Sequence, residues 1–338
     1  MSDAVAQVAR AVLYEGYILW PYRRSALKNR QRWTFGGVYP RAHSEGGHAD
    51  DRWTMQTQCL LEGDAATRLD VTVRFLHVVE RRLAEERGGE RREVDELALG
   101  AERLLAWDEA AEREMVAAGL TLAALEIGVA LPVAVPAGAE EERIAAAADG
   151  RVGIVRRSWQ ALAGSVEVSA ARLAPGLHRL TVRVRNTTPW AGGDREALQR
   201  RSFIATHAIL RAAGGAFVSL TDPPAALRAT AGACVNEGTW PVLAGDAGDR
   251  STLLSSPIIL PDYPRVAPES PGDLFDAGEI DQLLILNVLA LSDEERAEVR
   301  ATDPRAREIL ERCAALTPEQ LRRLSGAVRE FGYGLREG

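Results

Sequence analysis

Three cysteines in 338 residues, Cys59, Cys234 and Cys313, are too few and too widely spaced for a disulfide framework or a CxxC metal knuckle. A reduced compartment is the expected setting. No apolar run approaches the ~20 residues that span a bilayer, so membrane insertion is not expected. The opening MSDAVAQVARAVLYEG lacks the charged, apolar and small-residue order of a secretory signal, which points to the cytoplasm. Neither GxxxxGK(S/T) nor GxGxxG occurs between a strand and a helix, so nucleotide binding has no support and no cofactor is expected. Net charge is −7, whereas a nucleic-acid-binding domain is normally basic throughout. Nucleic acid is therefore not the expected partner.

Against that acidic background one segment stands apart. Residues 17–44 hold six of the 19 aromatics (7 Trp, 6 Tyr, 6 Phe): Tyr17, Trp20, Tyr22, Trp33, Phe35 and Tyr39. The same stretch carries Arg23, Arg24, Lys28, Arg30, Arg32 and Arg41 and no acidic residue. Arginine and aromatics are enriched in recognition surfaces because they bury large areas and still offer donors. Trp20, Tyr22, Arg23, Arg24, Lys28, Arg30, Arg32 and Trp33 are accordingly candidate partner-binding residues, joined by Asn236, Glu237 and Trp240 further along. The competing reading makes these aromatics core residues on two paired strands, with arginines solvated between them.

The hydropathy pattern predicts a mainly β protein with an α-helical C-terminus: β-sandwich or immunoglobulin-like sheets followed by a small helical bundle or arm. Residues 11–22 read as strand and turn, and 33–38 as an aromatic strand. Strands are expected at 53–62 and 69–79, where Leu69, Val71, Val73, Phe75 and His77 share one face. Residues 80–115 are helical by composition, but Gly88-Gly89 between charged arms favours an exposed hairpin extending the sheet. Apolar strand resumes over 118–135. Three strands fall within 151–188, and a hairpin turning at Gly214-Gly215 is expected over 201–220. From 221 a long irregular connector begins, with five prolines between Ser255 and Pro271. Ile280, Leu283, Leu284, Val288 and Leu291 have helical spacing, and helix starts are read at Ser292, Asp303-Pro304 and Thr317. The expected division is a β-rich domain over 1–145, a β-sandwich-like domain over 146–262, and a proline-rich linker with helices over 263–338. Those helices could also pair two copies of the chain.

Two constellations offer chemistry. His43, Glu45, His48 and Asp50, with Asp51, place imidazoles and carboxylates within nine residues, enough donors for a metal. Their spacing matches no ligand pattern that a helix or strand imposes, and a solvated loop is the competing reading. His207, Cys234, Asn236 and Glu237 would make a nucleophile or metal set if they converged. These sets support the alternative of a metal-dependent hydrolase or metal-delivery protein. A further alternative, a ligand-binding module on the β-sandwich, needs an exposed aromatic platform, for which Trp159, Trp190 and Trp240 are the candidates.

Several long phrases carry a resemblance. YILWPYRRSALKNRQRWTFGGVYP (17–40), SLTDPP (219–224), NEGTWPVL (236–243), LLSSPIILPDYP (253–264), APESPGDLFDAGEIDQLL (267–284) and ATDPRAREIL (301–310) resemble a family of uncharacterised bacterial proteins encoded beside uptake NiFe-hydrogenase genes. The resemblance implies a non-catalytic accessory or assembly protein, whose partner is a NiFe-hydrogenase subunit or maturation factor. It carries no catalytic residues.

Overall fold

The structure, a computed structural model, describes residues 4–26, 29, 32–33, 35–99, 102–144, 151–265 and 281–317. It is mainly β, with 47% of residues in strands against 22% in helices. The sheet is organised around one strand, β1 (Thr54–Arg87), of 34 residues. After β1 come β2 (Glu90–Val94), β3 (Glu96–Leu99), β4 (Glu102–Leu105) and β5 (Trp107–Thr121). The run continues through β6 (Val129–Val135), β7 (Gly138–Ile144), β8 (Val152–Trp159), β9 (Leu162–Ala174) and β10 (Leu177–Asn186). It closes with β11 (Ile204–Val218), β12 (Trp240–Leu243) and β13 (Thr252–Ser256). Before the sheet lie helices α1 (Ala4–Tyr14) and α2 (Arg41–Glu45); α3 (Leu122–Ile127), α4 (Arg195–Gln199) and α5 (Arg228–Gly232) interrupt it. Helices α6 (Asp281–Leu289), α7 (Asp293–Thr302) and α8 (Pro304–Ala314) follow it.

Eleven strands form one antiparallel sheet with a main path β12-β13-β11-β1-β10-β9-β6, while β3 and β4 make a separate pair. Along its length β1 pairs in turn with β10, β11, β5, β8 and β2. Strands from both sides of residues 145/146 are therefore hydrogen-bonded neighbours, and the sheet runs through that boundary. Odd-numbered residues of β1, including Cys59, Leu61, Leu69, Val71, Val73 and Phe75, enter one large core with Val166 and Val168 of β9, Leu180, Val182 and Val184 of β10 and Leu210 of β11. Helix α3 supplies only Leu122 and Leu125 to this core, so most of the face is covered by the sheet itself.

Even-numbered Leu76 and Val78 point the other way, into a second core. There they meet Leu13, Tyr14, Tyr17, Ile18, Tyr22 and Trp33 from the N-terminal segment. The remaining contributors are Leu284, Ile285, Val288, Val299, Ile309 and Leu310 from α6, α7 and α8. The C-terminal helices thus dock on the outer face of β1 with the aromatic segment between. Ser292 caps α7 by accepting from Glu295 N (3.2 Å), while the Glu295 carboxylate accepts from Ser292 N (2.9 Å). Asp303 caps α8 through Arg305 N (2.8 Å). The third predicted start at Thr317 has its remaining residues outside the described set. No helix among the described residues is long and apolar enough to cross a membrane.

Local expectations fare unevenly. The 80–115 hairpin is present: Gly88 and Gly89 turn β1 into β2 with φ of 61° and 86°, the left-handed pair that a two-residue hairpin turn requires. The three strands of 151–188 are β8, β9 and β10. The strand expected over 11–22 is instead the end of α1, because Val5, Val8, Ala9, Val12 and Leu13 recur at helical spacing. The strand expected over 33–38 reduces to one bridge between Val38 and Phe203, since Trp33 (φ 69°) and Gly36 (φ 57°) leave the extended region. Residues 118–135 are broken by α3, which Thr121 caps through Ala124 N (3.1 Å). The hairpin expected over 201–220 is a single strand, β11. Gly215 lies opposite Gly63 in β1, where the two glycines make room for the buried Thr67. The connector beyond 221 contributes β12 and β13 to the sheet edge.

Candidate functional site

Where the second core reaches the surface, an open cleft of about 570 Å³ lies between the N-terminal segment, β1, the β4–β5 junction, α4 and α7. That is within the range of small-ligand and peptide-anchor pockets. Its floor is built on Arg32, which is only 5% exposed. The Arg32 guanidinium lies 3.6 Å from the Trp107 ring centroid, 4.4 Å from that of Trp33 and 5.9 Å from that of Tyr17. Its Nη1 donates to Tyr17 O (3.4 Å) and its Nη2 to Asp108 O. Burial lowers its pKa to about 10, and the Asp108, Asp303 and Glu196 charges oppose the fall, so the group stays cationic at neutral pH.

Two further buried or half-buried arginines complete the floor, with different duties. Arg81 donates to Leu105 O (2.6 and 3.1 Å), Thr302 O (2.6 Å) and Glu109 (2.7 Å), tying the sheet to the end of α7. Arg200 reaches Glu80 (3.0 Å), Asp108 (3.1 Å) and Glu196 (3.5 Å). At the mouth, Arg24 faces Asp95 (3.5 Å), Arg82 faces Glu80 (2.9 Å) and Arg103 faces Glu96 (2.6 Å). These three side chains are 39%, 53% and 40% exposed, so their pairings are weak and exchangeable. The lining carries six arginines against Asp108, Glu196 and Glu298, a local balance of +3 in a chain of −7. Trp107 Nε1 and Arg200 Nε, both in lining residues, are buried without a hydrogen-bond partner among the described residues.

The candidate partner-binding residues separate into distinct environments. Tyr22 and Trp33 are core residues at 0% and 3% exposure, and Trp20 is half-buried edge-on against Tyr22. As surface contacts Tyr22 and Trp33 are corrected: the C-terminal helices cover them. Arg23 pairs with Glu295 (3.2 Å) and Glu298 (3.9 Å) of α7. Arg24 and Arg32 belong to the cleft. Lys28 and Arg30 lie outside the described residues. Asn236 and Glu237 are elsewhere: the Asn236 carbonyl accepts from Gln58 N (2.7 Å), and Glu237 bridges Gln56, fastening this stretch to β1. Trp240 begins β12 and is 45% exposed. Trp159 ends β8 and donates to Pro136 O (3.1 Å), and Trp190 lies before α4, so the three candidate platform tryptophans sit on separate elements.

The metal sets are not assembled: among the described residues no group of three or more His, Cys, Asp or Glu side chains is placed to hold an ion. His43 stacks on His48 (4.2 Å between centroids) and bonds Asp51 (2.8 Å), while Glu45 pairs with Arg41 (2.7 Å). His207 is buried in β11 with Nδ1 against Ala205 O (3.0 Å); Cys234 follows α5, its thiol pointing to Thr230 O (3.9 Å). Sequence reasoning missed Arg81, Arg82, Arg103, Trp107, Asp108 and Arg200. Five of these fall in the charged arms of 80–115, whose composition reads as a solvated face and gives no sign that it meets residue 32. No protein-family model matches the chain, and comparison with curated proteins finds no relative.

Proposed function

We propose that this chain is a non-catalytic accessory or assembly protein that holds a protein partner in the cytoplasm, with the arginine-lined cleft as its contact site. The observation that carries this reading is the cleft itself: an open hollow of about 570 Å³ whose lining joins six arginines to two tryptophans. Such a lining suits recognition, because exposed arginines at the mouth offer donors and contact area over a floor stiffened by buried indoles. The sequence resemblance supplies the partner class, a NiFe-hydrogenase subunit or maturation factor. Tagged full-length protein should capture such a partner from its native host. The double variant Arg82→Glu, Arg103→Glu should lose it while its thermal transition stays within a few degrees. Equal recovery with both proteins would remove the cleft from the reading.

A further inference from the structure

Among the cleft arginines, Arg32 differs in one respect. Arg24, Arg81, Arg82, Arg103 and Arg200 each have a carboxylate within salt-bridge distance; Arg32 has none among the described residues. Its two hydrogen bonds both go to backbone carbonyls. A guanidinium carries five N–H donors, so three remain uncommitted. Asp108, Asp303 and Glu196 attract this cation without meeting it in an ion pair, whereas buried charges are normally paired directly. Here the cation packs on the Trp107 and Trp33 rings, and it lines an open cleft. Arg82, Arg103 and Arg24 at the mouth add positive field along the way in.

We infer that Arg32 forms the base of an oxyanion subsite, which takes either a carboxylate of a bound protein segment or a free phosphate group. The inference deepens the binding reading above by naming the chemistry that enters the cleft. Packing of two indole rings on the guanidinium and its two backbone hydrogen bonds restrict its orientation, which favours planar two-point recognition of an oxyanion. Arg24 and Arg103 release their exposed Asp95 and Glu96 partners at little cost when a ligand anion replaces them.

The test uses the full chain with three probes: inorganic phosphate, a glutamate-rich peptide, and the same peptide with glutamine at every glutamate. Calorimetry and tryptophan fluorescence report binding, since Trp33 and Trp107 pack on Arg32. The expected result is saturable binding of phosphate or of the glutamate peptide, weakening as salt rises, with none of the glutamine peptide. Saturation by phosphate alone identifies a free anion as the ligand; saturation by the glutamate peptide alone identifies a partner carboxylate. Arg32→Lys should weaken the binding at least tenfold. If that variant does not fold, Arg82→Gln at the exposed mouth should weaken it two- to fivefold and flatten the salt dependence. Absence of saturation by both anionic probes on the unmodified protein overturns the subsite, as does an unaltered affinity in folded Arg32→Lys. Partner capture from the host that persists without probe binding rejects the subsite alone. Probe binding without partner capture supports the subsite and rejects the accessory reading.

Discussion

The hydroxyl of Tyr17 donates to Asp303 across 2.7 Å, although 286 residues separate them. Both side chains are buried, and Asp303 is also the N-cap of α8. Arg305 lies over Tyr14 at 4.0 Å and Tyr17 at 5.3 Å, so one cation spans the same junction. Burial first, then the Asp303 charge, holds the Tyr17 phenol far above its usual pKa, which keeps it a donor at any physiological pH.

Tyr17→Phe leaves the ring packing in place and removes the donor to one Asp303 oxygen. The expected loss is about 1–3 kcal/mol, the cost of a buried polar group left without its partner. Urea unfolding of the two proteins measures it. A midpoint shift too small to resolve would show that the contact does not clamp the helices.

Stability should fall in acid through two buried histidines. Burial is the main cause that lowers His77 and His207 to about 4, against an ordinary value of 6.5. The unfolded chain therefore binds more protons between those values, so their contribution is fully present above pH 6.5 and is lost as pH falls towards 4. Each histidine contributes a slope of at most about 1.4 kcal/mol per pH unit. Urea midpoints at a series of pH values should be level above 6.5 and decline below it. His207→Asn should flatten that decline, and an unchanged slope in the variant would assign the acid sensitivity to other groups.

Gly215→Ala tests the close packing of β1 and β11. A Cβ there would lie 2.8 Å from Thr67 Cγ2 and 3.0 Å from the Glu62 carbonyl oxygen. Overpacking of this kind costs about 1–3 kcal/mol. Thr67→Ser removes the methyl and should recover part of the loss, giving a coupling energy in a double-mutant cycle. Strict additivity of the two changes would mean that the backbone carbonyl alone sets the cost.

What the sequence made legible was local. The Gly88-Gly89 turn, the Ser292 cap and the Asp303-Pro304 start each depend on neighbours within four residues, and each is present as expected. The aromatic segment was visible as a composition but not as a place. Whether Tyr22 and Trp33 face solvent depends on α6, α7 and α8, some 250 residues away, and no spacing rule reports that. The cleft was less visible still. Arg32 acquires its meaning from Trp107 and Asp108, and the charged arms of 80–115 resemble any solvated hairpin. The reading of 201–220 shows a different limit: a Gly-Gly pair serves a hairpin turn or a tight crossing of two strands equally well, and only the partner strand decides.

Phe75 and Leu76 are consecutive residues of β1, yet they belong to different cores. A strand read on both sides in this way behaves like a reading frame. Inserting or deleting one residue between Leu69 and Val71 would carry Val71, Val73 and Phe75 out of the sheet interior and Leu76 and Val78 into it, so both cores would fail together. Substitutions along β1 are correctable one site at a time; single-residue length changes are not. The segment should therefore admit variation in residue type while its length stays fixed.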